Sequence, residues 1–157
     1  MKQHTWKIYA AWILFTEAVG DLSGWLTRDG AKAYSESIIQ PPLSPPALVF
    51  PIVWGILFAL MGIGAARIYL ASPSRDRTNS LRIFLLQLAF NFFWSILFFN
   101  FQAFGAALVW LVILWGLILW MITSFHKVDP LAAWLQVPYL LWVTFAAYLN
   151  YGVWILN

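Results

Sequence analysis

Three sets of aromatic and polar residues recur at helical spacing inside otherwise apolar stretches. Gln87, Asn91 and Trp94 stand at i, i+4 and i+7, which places two carboxamides and an indole on one stripe of a helix. Pro138, Trp142, Ala146 and Asn150 repeat every four residues, and Pro51, Trp54 and Phe58 follow the same logic. An interior walled by indoles, a phenyl ring and carboxamides, with small Ala146 leaving room, suits a large flat apolar ligand bearing a few hydrogen-bonding groups. The same residues have a plainer use: amides in apolar helices bond across to a neighbouring helix, and Trp fills space or anchors an interface. Spacing alone leaves both readings open. Trp110, Trp115 and Trp120 lie five apart and scatter around their helix, which assigns them to lipid contact or packing. Pro138 removes one backbone hydrogen bond and is expected to kink its helix, freeing a carbonyl toward the interior.

Other chemistry is sparse. Glu17 is the one acid well inside an apolar run, and an ionisable group at that depth is a candidate for function, proton coupling included. It also lies one turn from Asp21, so reaching the interface or pairing with a loop cation is the alternative. His4 and His126 fall at the ends of runs, where solvated histidines are expected and no haem iron could be clamped at mid-membrane. Cysteine is absent, which excludes disulfides, thiolate metal sites and cysteine nucleophiles. No metal-binding spacing, phosphate loop or nucleophile paired with a base is present, so no metal, obligatory cofactor or ordinary hydrolase chemistry is expected.

The elements that must position these residues follow from composition. Of 157 residues, 62% are hydrophobic and 10% charged, against about 25% charged in a soluble domain. Such a surface belongs in lipid, and the net charge of +3 gives no reason to expect a nucleic-acid partner. At about 20 residues per span the length allows four to six crossings. Apolar runs at about 6–22, 47–70, 81–100, 103–125 and 131–155 make this an all-α membrane protein, a bundle of five transmembrane helices in one domain over 1–157. The first run lacks a small-residue cleavage pattern and is expected to remain as a helix. Residues 23–45 read as a polar loop ending in Pro41-Pro42-Leu43-Ser44-Pro45-Pro46, stiff enough to act as a lid. Lys2, Lys7, Arg67, Arg75, Arg77, Arg82 and Lys127 fall on one side and only Arg28 and Lys32 on the other. This bias places the N-terminus in the cytoplasm and favours a bacterial inner membrane. Gly62, Gly64, Ala65 and Ala66, with Gly105, Ala106 and Ala107, permit close helix approach, within or between chains.

Three ordered motifs also carry a resemblance. The run Pro45-Pro46, Phe50-Pro51, Trp54, Leu57-Phe58 and Leu60-Met61-Gly62 resembles the second helix of the translocator protein family, the tryptophan-rich sensory proteins or TspO. Gln87-Leu88-Ala89-Phe90-Asn91 with Trp94 resembles the third helix. Ala133-Trp134, Val137-Pro138-Tyr139, Trp142, Ala146 and Leu149-Asn150 resemble the fifth, so the similarity spans roughly residues 34–151. The resemblance implies a five-helix bundle, commonly a homodimer, whose cavity opens near the first loop. It further implies a membrane receptor or sensor that binds tetrapyrroles such as protoporphyrin and haem, with sterols and benzodiazepine-like compounds as further ligands. Transport of porphyrins, or their slow light-dependent degradation, are the alternative activities it implies. By position, Trp54 and Trp142 would flank the ligand and be the porphyrin-reactive candidates. Gln87 and Asn91 would supply polar contacts and Ala146 the floor, with Pro45 and Phe50 bringing the lid onto it. This is the pocket that the periodicity outlines. The chain departs from the family pattern at Leu43, where an aromatic residue is usual, and at Ser35, where the lid tyrosine is usual; Tyr34 is one residue off. No basic residue follows Tyr148 or Tyr151, and although Lys7-Ile8-Tyr9 through Leu14 fits a reversed sterol motif, no specific sterol site is expected.

Overall fold

The computed structural model describes residues 4–157. Among them every regular element is helical: α1 (Thr5–Leu26), α2 (Arg28–Ser37), α3 (Val49–Leu70), α4 (Arg75–Ser95), α5 (Phe104–Val128), α6 (Pro130–Trp134) and α7 (Val137–Leu156). In an apolar solvent each backbone N–H and C=O must be satisfied within its own segment, which is why the apolar runs are helices. Among the described residues four stretches are long and apolar enough to cross a membrane: α3, α4 with its continuation to Asn100, α5, and α6 with α7. Helix α1 is as long as α3 but carries Lys7, Glu17 and Asp21.

Several boundaries differ from the hydropathy reading. Helix α4 begins at Arg75, six residues before its apolar run, because the Ser74 side chain accepts from the Arg77 N–H and caps the first turn. At its other end the helix widens into a π-turn over Ile96–Asn100. Residues 23–45 are not simply a loop. Helix α1 continues to Leu26, and α2 follows after a single residue, Thr27. Tyr34 of α2 packs on Phe98 and Phe99, with ring centroids 5.3 and 5.5 Å away. That aromatic contact holds a polar segment in place against the bundle. Nor is the last span one kinked helix. It breaks at Leu135 and Gln136, before Pro138, and Pro138 sits in the first turn of α7, where its missing N–H costs nothing. The Gln136 amide bridges the break by donating to the Leu60 carbonyl of α3 at 3.1 Å.

Helix α1 lies along α3, and α5 packs against α4 on one side and α6 and α7 on the other. Gly62 permits a close approach of α1 and α3. A Cβ there would lie 2.6 Å from the Ile13 Cα, and beside it Thr16 donates to the Phe58 carbonyl at 2.7 Å. Gly62, Gly64, Ala65 and Ala66 are all buried within the chain, so this stripe serves intrachain packing. Around the outside, Val109, Val112, Ile113, Leu119 and Trp120 of α5 are exposed, as a surface facing lipid tails would be.

Candidate functional site: an aromatic cavity at one end of the bundle

Toward α2 and the proline-rich segment the helices enclose a cavity of about 500 Å³. Pro45, Phe50, Trp54, Phe58, Asn91, Trp94, Trp142, Ala146 and Asn150 all line it. Gln87 and Pro138, the other two candidates, are not among the lining residues. Gln87 is wholly buried one turn deeper on α4, and Pro138 lies four residues before Trp142 at the start of α7.

The polar candidates do not simply wait for a ligand. The Asn91 amide donates to the Tyr139 hydroxyl at 2.8 Å, and that hydroxyl donates to Gln87 Oε1 at 2.8 Å. This relay ties α4 to α7 beneath the cavity floor. Higher up, the Trp94 indole N–H donates to Asn150 Oδ1 at 3.1 Å, and the Asn150 amide donates to the Phe104 carbonyl at 2.8 Å, joining α4, α7 and the start of α5. The interhelical role and the cavity-lining role therefore coexist in the same side chains. Trp142 differs: its indole N–H is buried with no partner among the described residues. Its ring meets Phe50 edge-on at 6.0 Å, while Trp54 contacts Phe58 at 5.6 Å and Tyr139 at 6.1 Å. Trp110 and Trp115 use their N–H groups within the bundle, donating to the Phe90 carbonyl and to the Thr144 hydroxyl, and Trp120 is exposed.

A wall of the cavity that the motif reading missed comes from α1. Glu17, Gly20, Asp21 and Gly24 stand at i, i+3, i+4 and i+7, a single helical stripe, and all four line the cavity. The spacing was present in the sequence, but two acids and two glycines carry no aromatic signature. Tyr139, the hub of the deeper relay, was likewise hidden beside the more conspicuous Pro138. Among the described residues no Lys, Arg or His lines the cavity, and its two carboxyl groups are those of Glu17 and Asp21.

The segment over the cavity is held at its far side. Asn157, at the end of α7, brackets Ile39 by accepting from its N–H at 3.1 Å and donating to its carbonyl at 2.8 Å. Tyr148 donates to the Pro42 carbonyl at 2.8 Å. Gly152 completes the attachment, since a Cβ there would overlap the Pro41 ring. Between these anchors and α3, Leu43 adopts φ 70° with its side chain exposed, and Gln40, Pro45 and Ala47 face the cavity. Tyr34 also lines it, and burial raises the pKa of its hydroxyl, which keeps it a neutral donor at physiological pH.

An all-helical chain suited to lipid, with an aromatic-walled cavity between four of its longer helices, is an integral membrane protein with an internal chamber of ligand size. The chain belongs to the TspO/MBR family, whose model matches residues 10–155. It is 38% identical over 141 residues to the tryptophan-rich protein TspO of Chlorobaculum tepidum, covering 89% of each chain. It is 34% identical over 151 residues to the translocator protein of Bos taurus, covering 95% of this chain and 89% of that one. Over 152 residues it is 29% identical to the tryptophan-rich sensory protein of Cereibacter sphaeroides, covering 97% and 92%.

Proposed function

We propose that the protein is a five-span membrane receptor or sensor whose cavity binds tetrapyrroles, protoporphyrin and haem among them, and so regulates tetrapyrrole handling or a stress response. The observation that carries this reading is the cavity itself. Its volume of about 500 Å³ falls within the roughly 300–1,000 Å³ range of small-molecule sites. Trp54, Trp94, Trp142, Phe50 and Phe58 offer it ring faces and edges, which suit a flat conjugated macrocycle. The proline-rich segment acts as the lid, and Trp142 contributes its ring to the wall, its N–H being buried. With Glu17 and Asp21 on one wall and no cation among the described residues that line the others, the macrocycle's carboxylates point out through the mouth.

In this reading α1 is the fifth span, held by its contact with α3, and the cation-rich end bearing Lys7, Arg67, Arg75, Arg77, Arg82 and Lys127, together with Lys2 outside the described residues, is cytoplasmic. A bacterial inner membrane follows from the same bias, and the family resemblance supports a homodimer. The test is a Trp-fluorescence titration of the detergent-purified protein with protoporphyrin. Saturable quenching near micromolar ligand, weakened in Trp142→Phe and in Asn91→Ala, is expected. Unsaturable quenching unchanged by both substitutions means partitioning into detergent and removes the reading.

The position of Glu17 on the cavity wall favours a second reading, proton-coupled movement of an amphipathic compound through the chamber. Protein-dependent flux into sealed proteoliposomes, abolished in Glu17→Gln while binding persists, distinguishes it from a receptor alone.

A further inference from the structure

A second cavity, of about 270 Å³, lies at the opposite end of the bundle between the first turns of α4 and the last turns of α5. Asp76, Asn79, Arg82 and Ile83 line it from α4, and Trp120, Thr123, Ser124 and Lys127 from α5. Arg82 and Lys127 make no ion pair or hydrogen bond among the described residues; the ion pair of that end joins Arg67 to Asp129 instead. Two free cations thus converge on one recess at the rim of a lipid-facing groove. The Ser80 and Ser124 hydroxyls bond to each other at 2.6 Å beneath it, which closes the recess inward.

We propose that this recess holds the phosphate of a membrane glycerophospholipid, with Arg82 and Lys127 taking the phosphate oxygens and Asp76 accepting from a donor-bearing headgroup such as glycerol or ammonium. The surface beneath the recess selects a lipid over a free phosphate. One turn deeper on α4, Leu86 is exposed, and on α5 the exposed ring of Trp120 is followed two turns deeper by exposed Ile113. An acyl chain descending from the recess meets a continuous apolar stripe, whereas inorganic phosphate gains nothing from it. Basic recesses between helices at a membrane face are a recurring form of headgroup recognition, and each basic residue near the surface contributes about fivefold in affinity. The inference rests on the chain's placement in a membrane and is independent of what occupies the aromatic cavity.

The test uses the full chain in mild detergent, with bound lipid counted by native mass spectrometry during titration with dioctanoyl phosphatidylglycerol, phosphatidylethanolamine, phosphatidylcholine or inorganic phosphate. Expected is one saturable phosphatidylglycerol or phosphatidylethanolamine adduct, displaced poorly by phosphatidylcholine and by inorganic phosphate. Arg82→Gln and Lys127→Gln each weaken it about fivefold and more together, while Arg75→Gln, outside the recess, leaves it unchanged. A thermal melt of each variant shows that the fold persists. Equal adducts in the wild type and the double variant, an equal loss in Arg75→Gln, or displacement by inorganic phosphate at the lipid's own concentration each overturns the proposal.

Discussion

Replacing Tyr139 by Phe removes one hydroxyl and leaves the ring, so the packing of Tyr139 against Trp54 at 6.1 Å is retained while two hydrogen bonds vanish. The consequences are unequal. The Asn91 amide borders the cavity and can be rehydrated, but Gln87 is fully buried and its Oε1 is left with no donor. A buried orphan of this kind costs about 1–3 kcal/mol, and interhelical hydrogen bonds in membrane proteins average about 0.6 with a maximum of about 1.7 kcal/mol. The expected loss is therefore about 2 kcal/mol, and at roughly 2–4 °C per kcal/mol for a chain of this size the unfolding midpoint falls by about 4–8 °C. Gln87→Leu should cost less, because the Gln87 Nε2 has no partner to lose and the Tyr139 hydroxyl keeps its donor from Asn91. The double variant should be more stable than the sum of the two losses, since Gln87→Leu removes the acceptor that Tyr139→Phe orphans. Thermal unfolding of the detergent-purified proteins, followed by intrinsic fluorescence, measures all three. Strictly additive losses, or a midpoint unchanged by Tyr139→Phe, would refute the relay as a structural unit.

Three other outcomes are expected. Gly152→Val should push Pro41 off α7 and loosen the segment over the cavity, seen as faster amide exchange at Ile39, whose N–H bonds to Asn157; exchange as slow as in the wild type would count against that anchorage. Asp129 pairs with Arg67 at 2.6 Å and also accepts from the Leu131 N–H as the cap of α6, so Asp129→Ala should lose about 1–2 kcal/mol and Asp129→Asn, which keeps a capping oxygen, less than half of that. Equal melting of the two variants would assign no part to the cap. Glu17→Gln should tighten a dicarboxylic porphyrin about threefold by removing a carboxylate from the cavity wall, with no change for its dimethyl ester; the same gain for both would exclude an electrostatic cause.

The sequence was most legible where one physical signal dominated. Apolar run length located the long helices, and the period of four in Trp142, Ala146 and Asn150 placed them together on the cavity side of α7. It was less legible where local chemistry competes with hydropathy. Ser74 starts α4 well before its apolar run, and Pro138 opens a new helix where a kink in a continuous one was expected. Helix α2 was hidden because residues 28–37 are polar and held by Tyr34 against Phe98 and Phe99, a contact that no local pattern announces. The α1 wall was legible only at Glu17, an acid inside an apolar run; Gly20, Asp21 and Gly24 carry no aromatic signature that would join them to it as one cavity-lining stripe.

Side-chain size along α3 accounts for why this helix meets its neighbours closely toward one end of the bundle and borders a chamber toward the other. Lipid tails are as apolar as the helices, so helices in a bilayer are drawn together by close contact and interhelical hydrogen bonds rather than by a hydrophobic drive. In its second half α3 presents Gly62, Gly64, Ala65 and Ala66, and there α1 approaches until Ile13 lies against Gly62 and Gln136 against Gly64. In its first half the same helix presents Phe50, Trp54 and Phe58, whose rings hold the neighbouring helices apart. The chamber persists because its rim is fixed by hydrogen bonds that collapse would break, Trp94 to Asn150 to Phe104 on one side and Asn91 to Tyr139 to Gln87 below. The polar residues that mark the cavity in the sequence are thus also what keeps it open.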